Sequence, residues 1–229
     1  SNVRAHYYLG CCYDEKGLTA SAKKGFVNAL KSDPQHIPSL YNLGIIYMKS
    51  GNNKEAASNF KTILKIDSNN HDAHYNMGLL YYKEEKYDAA IVEYKEALDQ
   101  KNDNADIYYN MGLAYSRKKL FEDAISSFKN VLTTSNKHVD ALHELGNSYN
   151  SIGNYEKAIS LFNKVLALNP DNATCYFNLG NAYRADKKRN EAHAAYKKVL
   201  EINSDYAEAW NALGIIDRAK GNHDEAIHA

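Results

Sequence analysis

Asparagines recur at a fixed interval along this chain of 229 residues, and their carboxamides are the side chains best suited to specific chemistry. Asn42, Asn76 and Asn110 follow one another in steps of 34 residues, and Asn178 comes two further steps along. A carboxamide offers both a donor and an acceptor, which match the groups of one peptide unit. The spacing therefore predicts hydrogen bonds to the backbone of a bound peptide, or hydrogen bonds between neighbouring helices that only hold the fold together.

Sequence motifs for catalysis and for metal binding are absent. The chain has no phosphate-binding glycine loop, no dinucleotide-binding glycine pattern and no nucleophile elbow. His71 and His74 are close in sequence, but no third ligand falls on the same helix face, and structural zinc takes four ligands. We therefore predict no catalytic residue, no metal site and no cofactor. We expect the chain not to be an enzyme, and any catalytic domain would lie outside it.

Composition narrows the classes of partner and the compartment. Lys plus Arg and Asp plus Glu each number 28, so the chain lacks the basic excess of a nucleic-acid-binding protein. No apolar run is long enough to span a membrane. Cys11, Cys12 and Cys175 form no even framework, which is typical of a reducing compartment. We expect a cytoplasmic protein that binds protein or peptide partners, with no nucleic acid and no membrane span.

The elements that would position the asparagines follow the same period. One glycine recurs every 34 residues without insertion or deletion, at Gly10, Gly44, Gly78, Gly112, Gly146, Gly180 and Gly214. Around it the residue types repeat: Leu or Met one residue before, Tyr three after (Asp217 in the last copy), Ala twelve after and, in the first six copies, Phe or Tyr sixteen after. A period of this length predicts stacked helical hairpins.

The second copy of the period shows how each hairpin is built. Pro38 stands near the start of a first helix, where its missing N–H costs nothing. Gly51 and Asn52 form the turn, and a second helix runs from about Lys54 to Ile66. Two helices joined by a short turn lie antiparallel. The glycine of the period lets them approach closely, which offsets the cost of about 1 kcal/mol that glycine carries inside a helix.

This order of residues resembles the tetratricopeptide repeat, a family of 34-residue helix–turn–helix units. The family favours Trp four residues before the glycine, which Trp210 supplies. The resemblance implies an all-α, right-handed superhelix of stacked antiparallel helix pairs. Its repeats would span residues 3–36, 37–70, 71–104, 105–138, 139–172 and 173–206, with a partial seventh over 207–229. Because no polar capping helix is visible, we also expect the chain to be part of a longer protein or a complex.

The resemblance further implies a concave groove lined by one side of each first helix, and the asparagines fall on that side. Packed helices are about 8–10 Å apart, so one asparagine per repeat could hold about every third residue of an extended peptide. The ladder is similar to the one in O-linked N-acetylglucosamine transferases and in other long arrays. The residues predicted to contact a peptide backbone are Asn42, Asn76, Asn110 and Asn178.

Apolar side chains flank the asparagines in the predicted groove. The expected anchors for partner side chains are Tyr41, Tyr75, Tyr109, Ile45, Leu79 and Leu113. Aromatic anchors are common interface hot spots, although partial burial against adjacent helices would explain the same pattern. Asn147 and Asn181 replace the aliphatic residue in later repeats, so the two halves of the groove would bind different parts of one partner.

Charged residues are sorted along the first helices. Lys49, Lys83 and Arg117 lie near the helix ends, where they would select a charged partner. Asp72 and Asp106 lie near the helix starts, and this polarity also stabilises the helix dipoles, so both explanations stay open. Those two aspartates stand where the carboxylate clamp of tetratricopeptide co-chaperones needs Lys, so we do not expect binding of chaperone tails.

The sequence therefore predicts a scaffold for protein–protein interaction that binds an extended or helical segment of a partner in its concave groove. One alternative is a substrate-recruiting arm of a larger enzyme, such as an O-linked N-acetylglucosamine transferase. The other is a structural subunit of a large assembly, such as the ciliary transport machinery. The full-length sequence would separate them, because a catalytic domain supports the first, and further repeats or a coiled coil support the second.

Overall fold

Regular structure is helical throughout the described part of the chain. The computed structural model describes residues 2–98 and 104–220, and for residues 219 and 220 the backbone only. These residues form thirteen α-helices and contain no strand. The predicted all-α fold is confirmed, and the end of the partial repeat at 207–229 lies outside the described residues.

The described helices fall into two compact units, and the chain passes from the first to the second after Ala114. The first unit contains α1 (Asn2–Glu15), α2 (Thr19–Ser32), α3 (Ile37–Lys49), α4 (Asn53–Ile66), α5 (His71–Lys83), α6 (Tyr87–Ala97) and most of α7 (Ala105–Arg117). The second contains α8 (Phe121–Thr134), α9 (Val139–Ser151), α10 (Tyr155–Leu168), α11 (Ala173–Ala185), α12 (Arg189–Ile202) and α13 (Ala207–Lys220). Within each unit, pairs such as α3 with α4 or α9 with α10 pack together, and each such pair packs on the next. A short turn makes the members of a pair antiparallel.

The turn inside each helix pair contains one residue with a left-handed backbone. The residues with φ between 59° and 78° are Gly17, Gly51, Glu85, Lys119, Gly153 and Lys187. Glycine adopts this conformation at little cost, whereas other residues are strained there. The predicted turn at Gly51 is confirmed, and the same turn is kept where the glycine is missing.

The repeated glycine supports the closest packing within each pair. A Cβ added to Gly44 would lie 2.8 Å from the Phe60 ring, and one added to Gly146 would lie 2.7 Å from the Phe162 ring. A Cβ added to Gly10, Gly78 or Gly180 would likewise clash with the aromatic ring sixteen residues later in the chain. All five rings are fully buried. The predicted close approach of the two helices is confirmed at these positions.

Candidate functional site

We use the name asparagine ladder for Asn42, Asn76 and Asn110 of the first unit and Asn178 of the second, and the amide nitrogen of each donates a hydrogen bond within its own unit. Asn110 Nδ2 donates to Tyr75 Oη of the preceding repeat at 3.1 Å and to the Asp106 carbonyl at 2.8 Å. Burial raises the pKa of Tyr75, the charge of Asp106 adds to the shift, and the hydrogen bond from Asn110 opposes it. Tyr75 therefore stays un-ionised, and its hydroxyl oxygen accepts the hydrogen bond from the Asn110 amide.

The other two members of the ladder in the first unit also donate to groups of the stack. Asn42 Nδ2 lies 3.9 Å from Cys11 Sγ. Burial raises the pKa of Tyr7, and the nearby Asn42 amide opposes this shift in part. Asn76 donates to the Asp72 carbonyl at 2.7 Å and is only 3% exposed, so it is the least accessible member of the ladder.

The ladder member of the second unit has different acceptors. Asn178 Nδ2 lies 3.0 Å from His143 Nε2 and 3.0 Å from Asn147 Oδ1. Because an amide nitrogen only donates, His143 Nε2 accepts in this arrangement, and Nδ1 of the same ring lies 3.6 Å from Glu144 Oε1. Burial opposes the ionisation of Glu144. Its polar neighbours His143 and Asn147 and the charge of Arg117 outweigh burial and lower the pKa of Glu144. The polar groups here satisfy one another.

The amide oxygens of the ladder are the groups that remain for a ligand. In the residues that the structure describes, these oxygens accept no hydrogen bond, whereas every ladder nitrogen donates one or two. The donated bonds fix the plane of each carboxamide, and this sets the direction of its oxygen. Asn42, Asn110 and Asn178, which are half-buried, therefore present oriented acceptors, which is the chemistry that a peptide N–H group needs, whereas the predicted contact at Asn76 is disfavoured because this side chain is almost fully buried.

The predicted apolar anchors are half-buried. Tyr41 packs on the Phe60 ring with centroids 6.2 Å apart, and Tyr75 packs on the Tyr94 ring at 6.1 Å. Ile45 is partly buried against the same core as Tyr41. The same intermediate exposure is found at Tyr109, Leu79 and Leu113. Each anchor therefore contributes to the stack and leaves part of its side chain accessible.

The predicted charge-selecting residues are exposed at helix ends. Lys49 ends α3, Lys83 ends α5 and Arg117 ends α7. A cation in the last turn stabilises the helix dipole, which explains all three without a ligand. Their role in selecting a partner stays a prediction.

Within residues 2–98 and 104–220, no group of three or more His, Cys, Asp or Glu side chains is arranged to hold a metal ion. None of the helices in this part of the chain combines the length and hydrophobicity needed to cross a bilayer.

Two family models match the chain. The model of the TPR repeat matches residues 44–85, 80–119, 146–187 and 180–217, and the model of the tetratricopeptide repeat matches residues 105–138. The matches cover more than half of the sequence. The chain belongs to the tetratricopeptide repeat (TPR) family. The resemblance inferred from the glycine period is confirmed.

Solved TPR structures share this fold. YrrB, described as a TPR protein with an unusual peptide-binding site, is 21% identical, and the match covers 82% of this chain and 96% of YrrB with a TM-score of 0.76. A TPR protein from Parabacteroides merdae is 22% identical over 98% of this chain and 89% of its own, with a TM-score of 0.74. PilF from Pseudomonas aeruginosa is 20% identical over 91% and 95%, with a TM-score of 0.73. No curated protein matches the chain. At these identities the likeness confirms the TPR solenoid fold alone.

One contact of the TPR stack escaped the sequence reasoning. At the position where the family favours Trp, Trp210 Nε1 donates to the Ser204 carbonyl at 2.8 Å. His74 holds the equivalent position, and its Nε2 lies 3.0 Å from the Ser68 carbonyl while its Nδ1 lies 2.7 Å from Glu93 Oε2. Burial lowers the pKa of His74, but the Glu93 carboxylate and the Ser68 carbonyl outweigh burial and raise it. The sequence contained a signal for this contact, because His74 and Trp210 hold the same position of the repeat and both carry a ring N–H group.

Proposed function

We propose that this TPR chain is a protein-interaction module that holds an extended segment of its partner along the asparagine ladder. The TPR fold supports a protein-interaction scaffold in general. One observation carries the finer proposal: the ladder oxygens accept no hydrogen bond in the described residues, although their nitrogens are fixed by the stack. A fixed acceptor binds at a lower entropic cost than a mobile one.

The ladder suits the backbone of an extended peptide better than it suits a particular side chain. An extended chain rises about 3.3 Å per residue, so acceptors about 8–10 Å apart would be separated by two to three residues of the bound chain. The half-buried rings of Tyr41 and Tyr75 lie beside the ladder and would contact partner side chains. YrrB, which shares this fold, is described as having a peptide-binding site, and this description supports the same class of ligand.

A peptide selected from a random library tests the proposal. The affinity of the selected synthetic peptide is measured by fluorescence anisotropy, far below the melting temperature of every variant. The double variant Asn42→Ala with Asn110→Ala should bind about tenfold more weakly, because two hydrogen bonds of roughly 0.5–1.5 kcal/mol each are lost. Its stability should also fall slightly, because both nitrogens donate within the stack.

The matched control removes two asparagines from second helices. Asn28 lies in α2, and Asn59 lies in α4, where it donates to the Glu55 carbonyl. The pair Asn28→Ala with Asn59→Ala should leave the affinity unchanged. If the ladder variant loses stability and keeps full affinity, its asparagines only hold the stack, and the proposal is wrong.

Charge selection is tested with the same peptide. Lys49, Lys83 and Arg117 would favour acidic residues in the partner, so Lys49→Glu with Lys83→Glu should weaken an acidic ligand and strengthen its basic counterpart. If the variant changes the affinity for both peptides equally, the three cations do not select the partner and only stabilise the helix dipoles. The two alternatives, a recruiting arm of an enzyme and a structural subunit, stay predictions.

A further inference from the structure

A second groove lies in the second unit, on the side of α9 opposite to His143 and Asn147. It has a volume of about 380 Å³ and runs between α8 and α10 with α9 as its floor. The apolar part of the lining consists of Leu132, Leu142, Leu145 and Leu161. Three of these leucines are almost fully buried, so the floor is recessed and lies below the surface of the flanking helices. We call this feature the lysine groove.

Three lysines stand over the leucine floor. Lys129 comes from α8, and Lys157 and Lys164 come from α10, and all three are exposed. The ammonium groups of Lys129 and Lys157 lie 5.8 Å and 5.1 Å from the ring of Tyr149, one on either side of the floor. No carboxylate lines the groove, and in the described residues none of the three lysines forms an ion pair. Three unpaired cations therefore face one apolar recess.

The next repeat contains the same groove without this charge. Its lining includes Tyr183, Leu179 and Tyr176, which correspond to Tyr149, Leu145 and Leu142 one period earlier. Glu191 takes the place of Lys157, and Lys198 takes the place of Lys164. Lys198 is paired with Glu201. Since the packing that forms the groove is common to both repeats, packing does not account for the three lysines.

We propose that the lysine groove is a second docking site, which binds an acidic segment of a protein partner carrying one or two apolar side chains. The lysines would pair with the acidic residues, and the leucine floor would take the apolar side chains. A groove between two helices with an apolar floor matches the way in which short protein segments dock. The site lies on a different face from the asparagine ladder, so it does not depend on the ladder's role.

The apolar floor favours a peptide over the other anionic partners. Nucleic-acid binding relies on phosphate contacts and a basic excess, whereas this chain has equal numbers of basic and acidic residues. A bilayer presents a broad surface, whereas the leucines lie in a recess between two helices. A short peptide segment can place acidic and apolar side chains within a few ångströms of each other and is narrow enough to enter this recess.

Three synthetic fluorescent peptides test the docking site at physiological salt. The first alternates Glu and Leu pairs, the second has Ser in place of Leu, and the third has Lys in place of Glu. The first should bind, and the other two should bind at least about tenfold more weakly. The triple variant Lys129→Glu, Lys157→Glu, Lys164→Glu should weaken the first peptide by about tenfold or more.

The control variant carries the same change of charge outside the groove. Lys119→Glu, Lys187→Glu and Lys197→Glu also alter exposed lysines of the second unit, and the affinity for the first peptide should stay within about twofold because salt screens distant charges. A gain-of-binding variant, Glu191→Lys, should strengthen binding by supplying the next groove with a second lysine.

Three results would overturn the proposal. In the first, both triple variants lose affinity equally, which means attraction by net charge alone. In the second, the Ser peptide binds as well as the Leu peptide, so the floor contributes nothing. In the third, phosphatidylserine vesicles or a single-stranded oligonucleotide bind through the three lysines while the first peptide does not bind.

Discussion

Tyr94 and Tyr196 hold the same position in two repeats, one in each unit, but their hydroxyl groups meet different surroundings. Tyr196 Oη donates to Asn181 Oδ1 at 2.8 Å. Tyr94 Oη is buried without a hydrogen-bond partner in the described part of the chain, and burial raises the pKa of Tyr94 strongly. The residue after the repeated glycine explains the difference, because it is Asn181 in one repeat and Leu79 in the other.

The comparison separates what the TPR period fixes from what single residues decide. Both rings close on the glycine of their own repeat, since a Cβ added to Gly78 or Gly180 would lie 2.5 Å or 2.6 Å from the ring. The helix pair is therefore built in the same way in both units. Only the neighbour of the hydroxyl group differs. Asn181 accepts a hydrogen bond from Tyr196, whereas Leu79 offers no acceptor to Tyr94.

The largest effect should come from breaking the shared geometry. Gly78→Leu and Gly180→Leu each place a side chain where a buried ring stands, so each should lower the free energy of unfolding by about 3 kcal/mol. Urea denaturation followed by circular dichroism measures the loss. Gly51→Leu is a poor control because φ is 77° there, so exposed Ala20→Leu in α2 is used in its place. A large loss in only one unit would show that the two pairs are not built alike.

The next effect should come from removing the two hydroxyl groups. Tyr196→Phe should cost about 1 kcal/mol, because it leaves the Asn181 oxygen without its donor. Tyr94→Phe should be neutral or stabilising by up to about 1 kcal/mol, because a buried, unpaired hydroxyl group is removed. The same denaturation experiment compares the two variants. Equal losses would mean that the partner of the hydroxyl group is unimportant.

A third variant sharpens the comparison by exchanging the deciding residue. Leu79→Asn gives the Tyr94 hydroxyl group the acceptor that Tyr196 has in its own repeat. In a double-mutant cycle with Tyr94→Phe, the coupling energy should favour the Asn–Tyr pair by about 0.5–1 kcal/mol. A coupling energy of zero would contradict the assignment of the difference to Leu79 and Asn181.

The sequence predicted the fold because each feature of a TPR pair is local. The glycine and the ring sixteen residues later lie in one hairpin, so their spacing was enough to place them in contact. The ladder was placed on the first helices, and hydrogen bonds between neighbouring helices were one of its two expected roles, but the individual acceptors were not predicted, because several of them lie in another repeat. Asn178 bonds His143 and Asn147, which lie 35 and 31 residues earlier. Such partners depend on how repeats stack, and the period alone does not give this.

The lysine groove was missed for a related reason. Lys129 and Lys157 come from the second helices of two successive repeats, and each reads as an ordinary exposed charge in its own helix. Only the folded structure shows that Lys129 and Lys157 lie close together, because both ammonium groups are near the ring of Tyr149. A comparison of the charges at equivalent positions of the period would have indicated the groove. For example, Lys157 is replaced by Glu191 one repeat later.

The smallest effect concerns a second matched pair, His74 in the first unit and Trp210 in the second. Both donate to the carbonyl six residues earlier, but only His74 titrates. Because Glu93, the Ser68 carbonyl and the charge of Glu96 together raise its pKa in the folded state despite burial, the imidazolium form stabilises the fold. This contribution is complete below the unfolded pKa of about 6.5 and is lost as the pH rises through the folded pKa.

Replacing the titrating ring by its counterpart should remove that pH dependence. The contribution of His74 to the free energy of unfolding should fall by about 0.5 kcal/mol or less between pH 6 and pH 8, so His74→Trp should reduce the pH dependence of the native protein by this amount. Glu93→Gln should reduce it, because the neutral amide no longer favours a charged ring, while the bond to the Ser68 carbonyl is kept. Urea titrations at several pH values measure both. If His74→Trp keeps the full pH dependence, another group is responsible, and the two positions differ only in shape.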